Sequence, residues 1–516
     1  MNTSRRLFFG SALRVVQFAL QLAVVFFMTP FILHSLGVAM YGSWILITAC
    51  VGYTALMDLG LSTGVARYIS RAAGQGNDAE VNRVINTSLR LFSLVGLVVF
   101  FATLIGAGLC FFAVNKTDEA RALALTVLFL GTRMALKFPT RTFDGVLTSH
   151  LRYDLQVIAT LTSFLSAYAL IFLLLRGGHG IAAMAAAMLG CSLVEYALIF
   201  FFARRSYPQM RLAGGATDGA MRRTLFDYGW KTVVWQFANT LRFKVDAPVI
   251  AAFLGRGLIA PYNIGAQLNT YFYEFVTTFI GNLSPVFSRY EGKGDYVAIR
   301  EKFLMMTRIA TVISIFGGAS IIFYSHDFIL RWMGAGFVGQ LPHQFSYVVA
   351  TILAAGYTLT LMQTPSSSLL FGISKHHYGA FMCLGEGLLN LVLSLALVKP
   401  LGIYGVALGT TIGLVVNQVF VYPVVACRSI QLPRAIFYRD IGWVAVKTGG
   451  LLAFYFWAVK SSLRPDYLTL TVLGAVQTLL FVPLCYFLVL HAPEKKILNS
   501  LVTQGMERYL HRTKSR

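Results

Sequence analysis

Tyr228-Gly229-Trp230-Lys231-Thr232-Val233-Val234-Trp235-Gln236-Phe237-Ala238-Asn239-Thr240-Leu241-Arg242-Phe243-Lys244-Val245-Asp246 begins a stretch that runs on to Gly265, and its reading decides the fold. It reads as a membrane-length helix that carries Gln236, Asn239, Arg242, Lys244 and Asp246 through its middle. A charge at the bilayer centre costs about 2.5–3.5 kcal/mol on insertion scales, so several on one helix are expected to face a cavity rather than lipid. The stretch also has an earlier copy. Val15-Val16-Gln17-Phe18-Ala19 precedes Val233-Val234-Trp235-Gln236-Phe237-Ala238, and Leu36-Gly37 precedes Leu254-Gly255, each by about 220 residues, so the chain reads as an internal duplication.

Working outward, 57% hydrophobic residues, 12% charged residues and a mean hydropathy of +0.67 over 516 residues exclude a soluble multidomain protein. Apolar runs of the roughly 20 residues needed to cross a bilayer fall at 9–33, 42–66, 91–114, 121–145, 155–176, 180–203, 228–254, 257–285, 303–325, 345–371, 377–398, 403–427, 441–460 and 468–490. The expected fold is therefore all-α and polytopic, with fourteen transmembrane helices. The basic N-terminus followed by an apolar run reads as an uncleaved first helix, because the run is long and leads straight into further spans.

The net charge of +22 has a topological explanation. With both termini placed in the cytoplasm, the outside loops hold Lys116, Arg121, Arg176, Arg256, Arg331, Lys399, Lys460 and Arg464, Arg14, Arg133, Arg242, Lys244, Arg308 and Lys447 lie within helices, and the remaining Lys and Arg lie inside. This is the positive-inside bias of an even helix count, and no nucleic-acid partner is expected. The six cysteines fall in or at the ends of apolar segments without C-x-x-C spacing, which reads as core packing. The nine His residues show no metal-ligand spacing.

The first helix places Arg14, Gln17 and Gln21 on one narrow face. In the second, Thr54, Asp58 and Ser62 share a face, followed by Gly64, Arg67-Tyr68 and Gly74-Gln75-Gly76; the eighth aligns Gln267, Thr270, Glu274, Thr277 and Gly281, followed by Arg289-Tyr290 and Gly292-Lys293-Gly294. The fourth carries a basic ladder, Arg133, Lys137 and Arg141, with Asp144, for which snorkelling toward phospholipid is the expected reason. Gly180-Ile181 matches Gly402-Ile403, so the duplication spans two six-helix lobes related by an axis along the membrane normal. The domains expected are residues 1–218, a six-helix lobe with its linker; 219–430, the second lobe; and 431–516, two extra helices and a basic tail suited to an anionic surface or to solvent.

Pro30, Leu36-Gly37-x-x-x-Tyr41-Gly42, Asp58-Leu59-Gly60-Leu61-Ser62-Thr63, and Asp246 with Leu254-Gly255 and Tyr262 together resemble Wzx-type polysaccharide flippases of the multidrug/oligosaccharidyl-lipid/polysaccharide superfamily. The resemblance implies two lobes around a cavity lined by the first, second, seventh and eighth helices, the four that carry the polar stripes. It also implies movement of an undecaprenyl-diphosphate-linked oligosaccharide from the inner to the outer leaflet of the bacterial cytoplasmic membrane. Membrane lipids, and a polymerase and glycosyltransferases of the same pathway, are the expected partners. Arg14, Gln17, Gln21, Gln236, Asn239, Arg242 and Lys244 are the expected substrate-binding residues, since fixed cations offset the desolvation of a diphosphate. Asp58 and Glu274 are the expected ion-coupling residues, for a proton or sodium ion, and no other cofactor is expected.

Competing readings stay open on the residues alone. Arg14, Arg242 and Lys244 are equally suited to pairing with Asp58, Glu274 or Asp246 to hold helices in register, and Glu195 and Glu386 to hydrogen bonding within a lobe. A multidrug exporter of organic cations would want an acidic, aromatic cavity. A membrane enzyme acting on lipid-linked sugars would want a larger catalytic loop than Tyr324 to Tyr347, which offers Asp327 and two His residues without an evident acid/base pair.

Overall fold

The computed structural model describes residues 3–58, 60–113, 118–212, 236–280, 283–339 and 345–496, with residues 219, 222, 223 and 499. Among them every regular element is a helix, as a bilayer requires of backbone that cannot turn to water for hydrogen bonds. The first half contains α1 (Thr3–Leu36), α2 (Val38–Tyr53), α3 (Leu61–Gly74), α4 (Asp78–Ala113), α5 (Asp118–Ser149), α6 (Tyr153–Arg176) and α7 (Ile181–Ser206). After helical residues 236–244 (α8) come α9 (Asp246–Leu254), α10 (Ile259–Ile280), α11 (Ser284–Glu291), α12 (Tyr296–Met333), α13 (Ser346–Met362), α14 (Thr364–Gly372), α15 (His376–Leu401), α16 (Ile403–Val415), α17 (Tyr422–Ser429), α18 (Arg434–Val459) and α19 (Tyr467–Leu488).

Among the described residues twelve helices are long and apolar enough to cross a membrane, where fourteen were expected. The two expected spans outside that set are the seventh and eighth, two of the four that carry polar stripes. Residues 228–235 of the seventh lie outside the described residues. The rest is not one helix to Gly265: Pro248 has no N–H and crowds the carbonyl of Lys244, so the helix breaks at Val245, resumes as α9 and ends at Gly255. The eighth is α10, whose Gln267, Asn269, Thr270, Glu274, Thr277 and Thr278 dilute its apolar content.

The duplication recurs in the backbone. Gly37 and Gly255 share φ/ψ of 79°/162° and 85°/163°, a conformation open to glycine, and each ends a helix after leucine. Gly76 and Gly294 both have φ of 68°. Past them Asn77 N–H donates to the Ala72 carbonyl at 3.0 Å and Asp295 N–H to that of Tyr290 at 3.1 Å, and the two side chains then cap the next helices by accepting from Glu80 and Ala298 N–H. Further on, Leu151 and Ser374 take matching φ values of 56° and 59°. The same turns therefore recur about 220 residues apart, a period set by the sequence repeat.

By contact density the chain forms two compact units, Met1–Thr240 with Ile250–Ala260, and Leu241–Val249 with Pro261–Arg516. In the first, Leu61, Val65, Ile69, Val81, Ile85, Phe92 and Phe138 are buried together where α3, α4 and α5 meet. Gly42 of α2 abuts the backbone of Arg256 so closely that a Cβ there would overlap its carbonyl oxygen, and the Arg256 side chain pairs with Glu119 of α5. In the second unit α18 and α19 pack on α12, through Val312, Val444, Leu452, Phe481 and Cys485.

At the start of the C-terminal tail, residues 492–496 are helical, and Glu494 among them is buried and meets Arg308 of α12 at 2.6 Å, while Arg308 also meets Asp440 of α18 at 2.7 Å. Residues 497–516, except Asn499, lie outside the described residues, as do 340–344 of the outside loop and 213–218 of the inter-lobe linker. Helix α12 continues to Met333, so Asp327 sits in a helix rather than in a loop. Cys383, Cys427 and Cys485 are core residues as expected, whereas Cys50 is exposed and Cys110 and Cys191 only half-buried.

Candidate functional site

In the first unit the polar interior begins where the second span breaks. Helix α2 gives way at Thr54 to a 3₁₀ turn ending at Asp58, Gly60 adopts a left-handed conformation with φ of 68°, and α3 starts at Leu61. The break presents the Asp58 carboxylate to Arg141 of α5 at 2.6 Å and to the Ser62 hydroxyl, which donates at 2.5 Å. One turn earlier on α5, Lys137 donates to Glu195 of α7 at 2.9 Å and lies 3.7 Å from Asp144; a turn earlier again, Arg133 donates to the Ser192 hydroxyl at 2.7 Å. The basic ladder is thus committed to carboxylates and a hydroxyl inside the unit, which replaces the expected snorkelling. Helical spacing makes this possible, since residues three and four apart on α5 share the face that meets α7 and the break.

In the second unit the polar interior centres on Arg242 of α8. Arg242 is 5% exposed and pairs with Glu386 of α15, 3% exposed, while donating to the Thr360 hydroxyl at 3.1 Å. Asn417 and Gln418 both donate to the other Glu386 oxygen, the second at 3.1 Å. Both residues belong to the π-helix Val416–Val421, which interrupts the regular α-helical turn where the two amides meet the carboxylate. The Arg242 guanidinium also lies 4.7 Å from the centre of the Phe243 ring, which packs with Tyr273 and Tyr357.

One turn beyond Arg242, Asp246 has no cation beside it among the described residues. The Tyr262 hydroxyl donates to one oxygen at 2.5 Å and the Thr410 hydroxyl to the other at 3.2 Å. Asn390 adds its side-chain oxygen, which accepts from Ser394 at 2.9 Å and lies 3.1 Å from the Thr410 oxygen, and the Val406 carbonyl completes the group. A carboxylate surrounded by hydroxyl, amide and carbonyl oxygens can take up a proton or a hard monovalent cation. Among the described residues no three His, Cys, Asp or Glu side chains gather as metal ligands.

The residues expected from sequence thus fall into two groups. Arg242 and Asp58 are buried in ion pairs, with Glu386 and Arg141, not with the partners weighed for them. Arg14, by contrast, is exposed, and its guanidinium rests 4.4 Å from the centre of the Tyr153 ring of α6. Lys244 and Glu274 are exposed too, within electrostatic reach of each other in the second unit. Gln17, Gln21, Gln236 and Asn239 are half-buried. The spacing Glu386-Asn390-Ser394 was legible in the sequence as a polar stripe suited to bonding within a lobe, whereas Thr410 and Asn417 were missed as members of these clusters; the available signal for the former was Thr410-Thr411 on an otherwise apolar helix.

The polysaccharide biosynthesis protein family matches residues 13–291, more than half of the chain. An uncharacterized membrane protein, EpsK of Bacillus subtilis strain 168, is 23% identical over 436 residues, covering 82% of this chain and 84% of the relative. Among solved structures, the lipid II flippase MurJ in an inward closed conformation matches with a TM-score of 0.68 at 16% identity, over 91% of this chain and 99% of that one. A multidrug resistance MATE family transporter of the MOP superfamily, inward-facing, matches with a TM-score of 0.66 at 15% identity, over 79% and 98%. Those likenesses are to transporters and flippases rather than to enzymes, and they concern the fold. With the family match to the first part of its sequence, a multi-span helical fold shared with MurJ and MATE transporters, and charge buried within its helices, the chain belongs to the polysaccharide biosynthesis protein family.

Proposed function

We propose that the protein is a flippase that carries an undecaprenyl-diphosphate-linked oligosaccharide from the cytoplasmic to the outer leaflet of the bacterial inner membrane, by alternating access, with both of its termini cytoplasmic. The observation that carries this reading is Arg14, an intramembrane cation left exposed on a polar helix face and held by an aromatic ring instead of a carboxylate. A cation so placed suits a diphosphate, and Lys244 is a second exposed cation of the same chemistry. Gln17, Gln21, Gln236 and Asn239 supply hydrogen bonds for sugar hydroxyls. Arg242 is assigned to holding helices together through Glu386, because its donors are already taken. An exporter of organic cations is disfavoured by the sign of Arg14 and Lys244.

Coupling to a proton or sodium ion fits the exposed Glu274 better than Asp58, whose carboxylate Arg141 occupies. The cation-free Asp246 cluster is the other candidate, since an acid kept inside a membrane without a partner is costly unless it has work to do.

The test is flipping of a fluorescent undecaprenyl-diphosphate oligosaccharide in proteoliposomes. Arg14→Ala and Lys244→Ala are each expected to slow it about tenfold or more, the loss of one charge-assisted contact, at unchanged thermal stability. Normal flipping in both, or transport of organic cations by the wild type, refutes the assignment. Gradient dependence that survives in Glu274→Gln, Asp58→Asn and Asp246→Asn alike would exclude these carboxylates from coupling.

A further inference from the structure

Helices α4 and α12 occupy equivalent places in the duplication, and the matching caps at Asn77 and Asp295 fix their register residue by residue. Buried positions repeat accordingly: Val81 with Ile299, Ile85 with Phe303, and Phe92 with Ala310 are all fully buried. The outward faces then part company. On α12, Arg308 is paired with Asp440 and Glu494, and Val312, Ile315, Phe316 and Ala319 pack under α18 and α19. On α4 the same positions are Arg90, Leu94, Leu97, Val98 and Phe101, and they are bare: Leu94 is 61% exposed where Val312 is 8%.

We propose that this seam of α4 is a docking face for a transmembrane helix of another membrane protein, one that carries a carboxylate opposite Arg90. Charge complementarity names the occupant. Arg90 is exposed and forms no ion pair among the described residues, while the arginine at the matching position of the second unit takes carboxylates borne by packed helices. An unpaired cation beside an apolar seam is the surface that α12 would present if α18 and α19 were removed. A helix bringing both an apolar stripe and an acid would satisfy Arg90 and cover Leu94 through Phe101 together, by the arrangement already built in the other unit. Acyl chains would cover the apolar residues alone.

The test uses the full chain in its native membrane, with a photoreactive phenylalanine analogue at Val98 or Phe101, and at exposed Val194 of α7 as control. Irradiation is expected to give one protein adduct from positions 98 and 101 and none from 194, the crosslinked peptide lying in a transmembrane helix that contains Asp or Glu. Arg90→Glu should cut the adduct about tenfold, and replacing the partner's acid with arginine should restore it. Arg90→Gln, which adds no repulsive charge, should give an intermediate loss and guards against a folding defect in the first variant. Adducts confined to phospholipid or to a second copy of this chain overturn the proposal. So does an equal yield from wild type and a normally folded Arg90→Gln.

Discussion

The two units bury charge differently although they share a backbone plan. The first balances Arg133, Lys137 and Arg141 against Asp58, Asp144 and Glu195, in a ladder whose Lys137 side chain stays 27% exposed. The second centres its polar interior on a single pair, Arg242 with Glu386, buried to a few percent and closed off by neutral amides, while Arg308 pairs separately with Asp440 and Glu494. Glu195 of α7 and Asn417 stand at matching positions after Gly180 and Gly402, so this helix carries an acid in one unit and an amide in the other, where the carboxylate is on α15. Duplication thus preserved the turns, which glycine and capping residues fix locally, while the side-chain chemistry inside the bundle diverged. A distributed ladder tolerates the loss of one rung, because its neighbours can re-pair. A single sealed pair does not, since either partner alone is a bare charge in a low-dielectric interior.

The largest expected effect follows directly. Glu386→Ala should destabilise the protein by about 3–5 kcal/mol, the cost of leaving a buried charge unpaired, read as a fall in unfolding temperature in detergent. Arg242→Met combined with Glu386→Leu should recover most of it. A loss no greater than that from a ladder variant would erase the distinction between the units. Arg141→Ala, which strands Asp58, should cost less, about 1–3 kcal/mol, because Ser62 still donates to the carboxylate and Lys137 lies one turn away. Gly42→Ala should cost about 1–3 kcal/mol by overpacking against the Arg256 backbone, a steric penalty that makes a charge-free yardstick for both. A neutral result there would mean that the α2 contact yields easily.

The smallest effect lies outside the membrane. Asp466 caps α19 by accepting from Thr469 N–H at 2.8 Å, and this bonding holds its carboxyl below the usual carboxylate range. A depressed folded value means that its contribution is complete above the unfolded carboxylate pKa of about 4. It is lost as pH falls through the depressed value. Asp466→Asn should therefore lower stability slightly at neutral pH and make no difference below the depressed value, so that the acid limb flattens. A loss that persists unchanged at low pH would show that the cap works by shape rather than by charge.

Much of this architecture was legible in the sequence. Apolar run lengths located the twelve spans, and Leu-Gly pairs located the turns, because both are local properties. The break at Val245 was legible in Pro248 but was overridden by the apolar run around it. The pairing of Arg242 with Glu386 was not legible: Arg242 has acids at Asp246 and Glu274 much nearer in the chain, and only the packing of α15 beside α8 makes the distant one its partner. The same holds for Arg308 and Glu494, which α19 brings together. The polar faces of α1 and α10 were visible as spacing, yet spacing alone does not distinguish Arg14, left open, from Arg141, which is occupied.

The π-helix at Val416–Val421 bears on how two matching spans keep step. The span Ile181–Ser206 has 26 residues and its counterpart Ile403–Ser429 has 27. A π-turn lets a helix carry one surplus residue without breaking, so the longer span accommodates it in the turn that bears Asn417 and Gln418. Deleting Val419 or Phe420 should convert the segment to regular α-helix and swing one of the two amides away from Glu386.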